Sequence, residues 1–311
     1  MAERDNNKIT RKDFLKKSCA GLLTLNLLRE SPVSLSKKQK IEQLSQEYRT
    51  LGRTGIKVIP LGYGASRTQE PSLVKTVLDK GINFLDTGRS YYNGQNEIMI
   101  GKVIKGIRKK VIIQSKVKIP IKEKGKELKS AEISKRIKNI MQLSLDESLK
   151  ALQTDYIDIL LIHGADNVDI INHESVMEFF RQAKKKGQIR ACGFSSDTNN
   201  VELLKAANEN NFYDIIMVPY NHKGSYIHSV NGRYKEWNQS ALELELKKAY
   251  QNNIGLVAMK TCSGGPYSPD EKNKPSYKEA LKWVLNHSYI HAMAVAMANR
   301  NEINENVQAI I

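Results

Sequence analysis

From Leu51 onward, short runs of β-branched and other apolar residues alternate with longer stretches whose apolar residues recur every three or four positions. That is the pattern of repeated strand–helix units. Eight strands are predicted, at 59–65, 83–86, 111–117, 156–163, 189–195, 215–218, 254–260 and 292–296. Several, such as Ile157-Asp158-Ile159-Leu160-Leu161-Ile162, are nearly continuously apolar, as expected of parallel strands covered on both faces. The clearest predicted helix spans 132–152, where Ile133, Ile137, Ile140, Met141, Leu145, Leu149 and Leu152 fall on one stripe. Eight units over roughly 250 residues predict an α/β fold, a closed (β/α)8 TIM barrel forming one domain over 48–311. A doubly wound open sheet with two extra units is the alternative. Ahead of the first strand, Arg53-Thr54-Gly55 between apolar residues predicts a small hairpin that closes the barrel bottom. The segment 118–130 is longer and more basic than a simple connection and reads as a mobile insertion on the active face.

Residues 1–40 read differently. A basic stretch is followed by a short apolar run at 19–28 and then a polar Ser/Lys tract, the order of an export signal. Thr10-Arg11-Lys12-Asp13-Phe14-Leu15-Lys16 resembles the twin-arginine export motif of bacteria, with Lys12 in place of the second arginine. The resemblance implies export to the periplasm. A basic N-terminal arm on a cytoplasmic protein is the other reading.

At 311 residues, with 40% hydrophobic and 26% charged residues, the chain has the composition of a globular protein with a core that needs no covalent staples. No apolar run approaches the roughly 20 residues of a membrane-spanning helix. The net charge of +16 is local. Residues 1–40 carry ten Lys/Arg against four Asp/Glu, and residues 102–138 carry fourteen against three. A solvated basic face explains such a patch without nucleic acid. Cys19, Cys192 and Cys262 fit neither a disulfide framework nor a zinc site, and His173, His222, His228, His287 and His291 show no metal spacing, so no metal is expected. The histidines read as surface or satisfied residues, and Cys192 and Cys262 as bystanders.

In a barrel of this kind, chemistry belongs at the carboxyl ends of the strands. Asp86 ends the second predicted strand, Tyr91 follows in the loop, Lys116 sits near the end of the third and His163 ends the fourth. A phenol with a pKa of about 10 is a poor acid at neutral pH, and a nearby ammonium lowers that value. Lys116 is placed to supply that charge and Asp86 to hold it, which makes Tyr91 a proton donor. A histidine alongside orients a carbonyl and stabilises charge on its oxygen. Protonating a carbonyl oxygen is useful only if the carbon is attacked. No side chain donates hydride, so the set implies a bound nicotinamide.

These residues, with Tyr48-Arg49-Thr50-Leu51-Gly52-Arg53-Thr54-Gly55, the block Gly81-Ile82-Asn83-Phe84-Leu85-Asp86-Thr87, then Gly94, Glu97 and Tyr156-Ile157-Asp158, resemble the aldo-keto reductases. The resemblance implies that Asp86, Tyr91, Lys116 and His163 form the catalytic tetrad, with Tyr91 as general acid. It implies an NAD(P)H-dependent oxidoreductase acting on a small-molecule aldehyde or ketone. It also places cofactor contacts at Gly64, at Ser195 and Ser196 after Gly193-Phe194, at Met217, at Met259 and Lys260, at Gly264 and Gly265, and at Arg300, Glu305 and Asn306. Ser196, Met217 and Met259 stand where the family commonly has Asn, Gln and an aromatic residue. NADP(H) is implied ahead of NAD(H), with Arg300 as the partner of the 2′-phosphate. The chain stops at Ile311 without the C-terminal loop that shapes the pocket in many members, which implies a more open pocket or a truncated chain. A non-catalytic regulatory barrel that binds a partner through its basic surface is the second reading.

Overall fold

The computed structural model describes residues 48–123, 125–228 and 232–310; the signal-like segment 1–40 lies outside them. Eight parallel strands close a barrel: β1 Leu61–Gly64, β2 Phe84–Asp86, β3 Ile112–Val117, β4 Ile157–Ile162, β5 Ile189–Ser195, β6 Ile215–Pro219, β7 Gly255–Met259 and β8 Ala292–Ala296. β8 pairs with β1 through Met293 opposite Leu61, which shuts the sheet and rules out the open alternative. Each predicted strand lies within two residues of an observed one.

The long connections carry helices: α1 Pro71–Asp79, α2 Gln95–Ile104, α3 Ala131–Leu152, α4 Glu174–Lys185, α5 Asn200–Asn210, α6 Gln239–Gln251, α7 Tyr277–Leu285 and α8 Arg300–Val307. α3 shows why the pattern folds this way. Ser130 caps its start by accepting from the Ile133 amide at 3.3 Å, and Ile133, Ile137, Met141, Leu145 and Leu152 are buried on one face. Truncating one of these to alanine costs roughly 2–5 kcal/mol, because the rigid strands beneath cannot fill the void.

Two apolar layers result. One lies between helices and sheet. The other fills the barrel, where Phe84, Ile159, Leu161, Ile215, Met217 and Val257 pack with Leu51, Ile56 and Val58. Those last three belong to the N-terminal hairpin, whose strands Arg49–Thr50 and Lys57–Val58 pair antiparallel. Arg53 pins its turn by donating to the carbonyl oxygens of Asn211 at 3.0 Å and Tyr213 at 2.6 Å. The hairpin therefore plugs the bottom, and the opposite mouth is left to the loops that follow the strands. The insertion after β3 is not purely irregular, since Gly125–Leu128 forms a short helix.

Candidate active site

β2 is buried along its whole length, and the chain stays bonded to β3 beyond its end. The Thr87 amide donates to Gln114 O at 2.8 Å and the Arg89 amide to Lys116 O at 3.1 Å. The chain then turns through Tyr92, Asn93 and Gly94 at φ of 50°, 51° and 84°, a left-handed run that is uncommon for a tyrosine. A Cβ on Gly94 would sit 1.9 Å from the Arg89 guanidinium. Glycine thus lets Arg89 cross the turn to pair with the buried Glu97. Glu97 also accepts from Ser115 Oγ at 2.6 Å, so the loop bearing Tyr91 is fastened to β3 and α2 together.

Lys116 is 1% exposed. Its Nζ donates to Asp86 Oδ1 at 2.5 Å, to Thr87 O at 2.7 Å and to Tyr91 Oη at 3.2 Å. Gln114 Nε2 donates to the same Asp86 oxygen at 2.7 Å. The ammonium is thus surrounded by acceptors, as a buried charge must be. Burial presses Lys116 toward its neutral form, yet Asp86 and Tyr91 outweigh it and leave the pKa above the ordinary lysine value. Burial also pushes the Tyr91 phenol up, and the Lys116 charge opposes that rise without reversing it. The expectation that Lys116 would draw the phenol below its ordinary value is therefore corrected. What the ammonium does is lower the cost of the phenolate in a buried place.

His163 closes the group. Its ring meets that of Tyr91 edge-on at 5.6 Å and 83°, and its Nδ1 lies 3.0 Å from Ser90 Oγ. Burial, then the charges of Lys116, Lys118 and Lys260, push its pKa down to about 3, so the ring is neutral. Tyr91, His163 and Lys260 line one cleft of about 1060 Å³ at the barrel mouth.

The residues expected at a cofactor are more dispersed. Ser195 Oγ donates to Ile162 O at 3.3 Å and accepts from the Gly164 amide at 3.2 Å. Ser196 is fully buried and its hydroxyl turns to Thr198 O. Met217 Sδ faces inward and accepts from Gln114 Nε2 at 3.3 Å, while Met259 packs against the inner core. Gly64 is held by close packing, since a Cβ there would approach Ala296 N to 3.2 Å. Lys260 follows β7 in a left-handed conformation, φ 56°, with Nζ 3.8 Å from Asp197 Oδ1. Beyond it, a Cβ on Gly264 would come within 2.8 Å of Asn221 Oδ1, and Gly265 stands at φ 86° over open space. On α8, Asn306 is buried and Glu305 exposed, while Arg300 is exposed at the helix start. Arg300 lines a depression with Glu70 and Asn299, and Glu305 another with Tyr277 and Gln308.

Several participants carried no role in the sequence reading. Gln114 was legible in principle, because Gln114-Ser115-Lys116 is a polar triplet inside a buried strand, and alternation puts Gln114 and Lys116 on one face. Asp197 Oδ1, Asn200 Oδ1 and His222 Nδ1 are buried without a hydrogen-bond partner, and all three lie after β5 or β6. His222, expected as a surface or satisfied residue, is half-buried with Nδ1 unbonded, whereas His173 and His291 are buried and bonded. Burial pushes Cys192 up to about 12 and Cys262 up to about 11, which suppresses their thiolates. Among the described residues, no cluster of three or more His, Cys, Asp or Glu side chains is arranged to hold a metal, and no helix is long and apolar enough to cross a membrane.

Known proteins resemble this chain in sequence and fold. The aldo-keto reductase YhdN of Bacillus subtilis is 32% identical over 165 residues, 48% of this chain and 47% of that protein; the chain therefore matches about half the length of that relative. The L-galactose dehydrogenase of Arabidopsis thaliana is 26% identical, covering 85% of this chain and 88% of its own. The structure of an aldo-keto reductase from Klebsiella pneumoniae in complex with NADPH shares the fold at a TM-score of 0.62, with 21% identity, over 85% of this chain and 89% of that one. A family profile described as the aldo/keto reductase family matches residues 61–280, from β1 into α7, and this chain belongs to that family.

Proposed function

We propose that the protein is an NADP(H)-dependent carbonyl reductase in which Tyr91 protonates the carbonyl oxygen of an aldehyde or ketone. The observation that carries this reading is the chain of contacts from Asp86 through Lys116 to the Tyr91 hydroxyl, at 2.5 Å and 3.2 Å, at the edge of the cleft. A raised phenol pKa keeps Tyr91 protonated at neutral pH, the form needed to donate. As the proton leaves, Lys116 at 3.2 Å stabilises the phenolate, and Asp86 and Thr87 O hold the ammonium still. Because that arrangement exists before substrate arrives, little reorganisation is needed at the moment of transfer. His163 is neutral; in the tautomer whose Nδ1 accepts from Ser90, the Nε2 proton is free to donate to the same carbonyl oxygen.

The other side of the mouth fits a dinucleotide. Buried polar atoms of Asp197, Asn200 and His222 lack hydrogen-bond partners, and the Lys260–Gly265 turn includes a glycine, Gly264, whose Cβ would collide with Asn221. Lys260 and that turn would hold the pyrophosphate, Arg300, Glu305 and Asn306 the adenosine end, and Ser195, Ser196 and Met217 the edge of the nicotinamide. NADPH supplies the hydride when bound. NADP(H) rather than NAD(H) is supported by the exposed Arg300 and by the NADPH carried by the Klebsiella relative. A non-catalytic barrel is disfavoured, because it would keep a buried ammonium, carboxylate and phenol wired together without use.

Titration of the purified protein with NADPH and NADH, followed by nicotinamide fluorescence, and absorbance assays with simple aldehydes test this reading. Tighter NADPH binding with aldehyde-dependent NADPH oxidation is expected. Absence of both overturns it.

A further inference from the structure

The cleft beside Tyr91 has two unlike walls. One, from the loops after β1, β2 and β3, carries the apolar surfaces of Tyr92, Ile119 and Ile121 together with Arg67, Lys118 and Lys122. It has no carboxylate among its lining residues, and none of those three cations has an ion-pair partner among the described residues. Glu123, the acid nearest in sequence, is turned to Arg136 instead. The other wall, from the loops after β4, β5 and β7, carries Asp166, Asp197 and Lys260; Asp197 and Lys260 lie on the side assigned above to the dinucleotide. The charged side chains of the first wall are therefore all cationic.

A solvated basic stretch is the ordinary reason for exposed lysines, but two features set these apart. They come from separate loops, Arg67 after β1 and Lys118 and Lys122 after β3, and they border the same hollow. Their field also reaches the floor of the cleft, where Lys118 is among the charges that hold His163 in its neutral form. Like charges gathered at a concave, low-dielectric surface focus the potential and draw in an oppositely charged ligand.

We propose that the carbonyl substrate bears an anionic group, carboxylate or phosphate, on an apolar body, and that Arg67, Lys118 and Lys122 hold that group while the carbonyl faces Tyr91. The proposal rests on the carbonyl-reductase reading and narrows its substrate class. Contacts of this exposed kind are individually weak and screened by salt, but three act on one group.

The test compares kcat/KM of the full chain at saturating NADPH for two matched pairs: 4-carboxybenzaldehyde against its methyl ester, and glyceraldehyde 3-phosphate against glyceraldehyde. The anionic member of at least one pair is expected to be favoured about tenfold at low ionic strength, with most of that preference lost near 0.5 M salt. Whichever pair shows the larger ratio identifies carboxylate or phosphate. In the triple variant Arg67→Ala, Lys118→Ala, Lys122→Ala the ratio should fall to about one, and each single variant should fall part of the way. Reduction of the neutral aldehydes with a ratio near one in both pairs would overturn the proposal and leave the reductase reading standing. If no aldehyde is reduced, calorimetric binding of 4-carboxybenzaldehyde decides. Salt-sensitive binding that the triple variant loses would keep the anion-holding wall and overturn the reductase reading, whereas no binding would overturn both.

Discussion

On the β2–β4 side of the barrel mouth, Asp86, Lys116, Tyr91 and His163 each have a protein partner within 3.2 Å. On the β5–β6 side, three buried polar atoms, from Asp197, Asn200 and His222, have no hydrogen-bond partner, Asp197 Oδ1 meeting Lys260 Nζ only at 3.8 Å. In the first half the charges are paired on folding, and Gln114 Oε1 is its one buried orphan among the described residues. The second is unfinished, and buried polar atoms without partners are costly enough that a native protein keeps few of them. On the proposed function the contrast is a division of labour: the proton-transfer side is largely preorganised, and the side proposed to take the cofactor keeps more unpaired polar atoms.

The largest effect should come from breaking the finished half. Lys116→Met leaves Asp86 as a buried carboxylate with its main counter-charge gone, and we expect a loss of about 3–5 kcal/mol in stability by urea unfolding. A loss below about 1 kcal/mol would mean that the pair is not held as described. Next comes completion of the other half. NADPH at about a hundred times its dissociation constant should stabilise the fold by about 2.7 kcal/mol. Hydrogen exchange should slow in the loops after β5, β6 and β7, with the Tyr91 loop little changed; protection confined to the Tyr91 loop would reverse the assignment.

A smaller effect should follow from Gly94→Ala. Its φ of 84° and the 1.9 Å approach of Arg89 mean that the turn must shift, at about 1–3 kcal/mol. Turnover should fall while NADPH affinity holds, because Gly94 serves the Tyr91 loop alone. The smallest is a pH effect. His163 and His291 are held down to about 3 and about 4, below the unfolded value of about 6.5. The unfolded chain therefore takes up protons that the folded one refuses, and stability should decline as pH drops below about 6.5, by roughly 1 kcal/mol per histidine at pH 5.5. A melting temperature that is flat or rises over that range would contradict the burial of these rings.

Much of the fold was legible because parallel strands buried on both faces leave an unmistakable apolar signature, as in Ile157–Ile162. The four residues at strand ends were legible for a related reason: ionisable groups closing apolar runs stand out. What escaped was set by contacts distant in sequence. Gln114 meets Met217 across the barrel, 103 positions away, and nothing in either neighbourhood announces the other. The protonation balance at Tyr91 was misread because its main determinant is burial, which a residue's neighbours in sequence do not report. The orphaned atoms of Asp197, Asn200 and His222 are likewise visible only once the loops are placed.

Whether the phenol of Tyr91, backed by Lys116, delivers the proton is tested by single-turnover oxidation of bound NADPH by an aldehyde, compared between the native chain and Tyr91→Phe. In Tyr91→Phe the rate should be lower by about 10²-fold or more, with the NADPH dissociation constant changed less than about twofold. A variant that turns over within about threefold of the native rate would contradict that role for Tyr91.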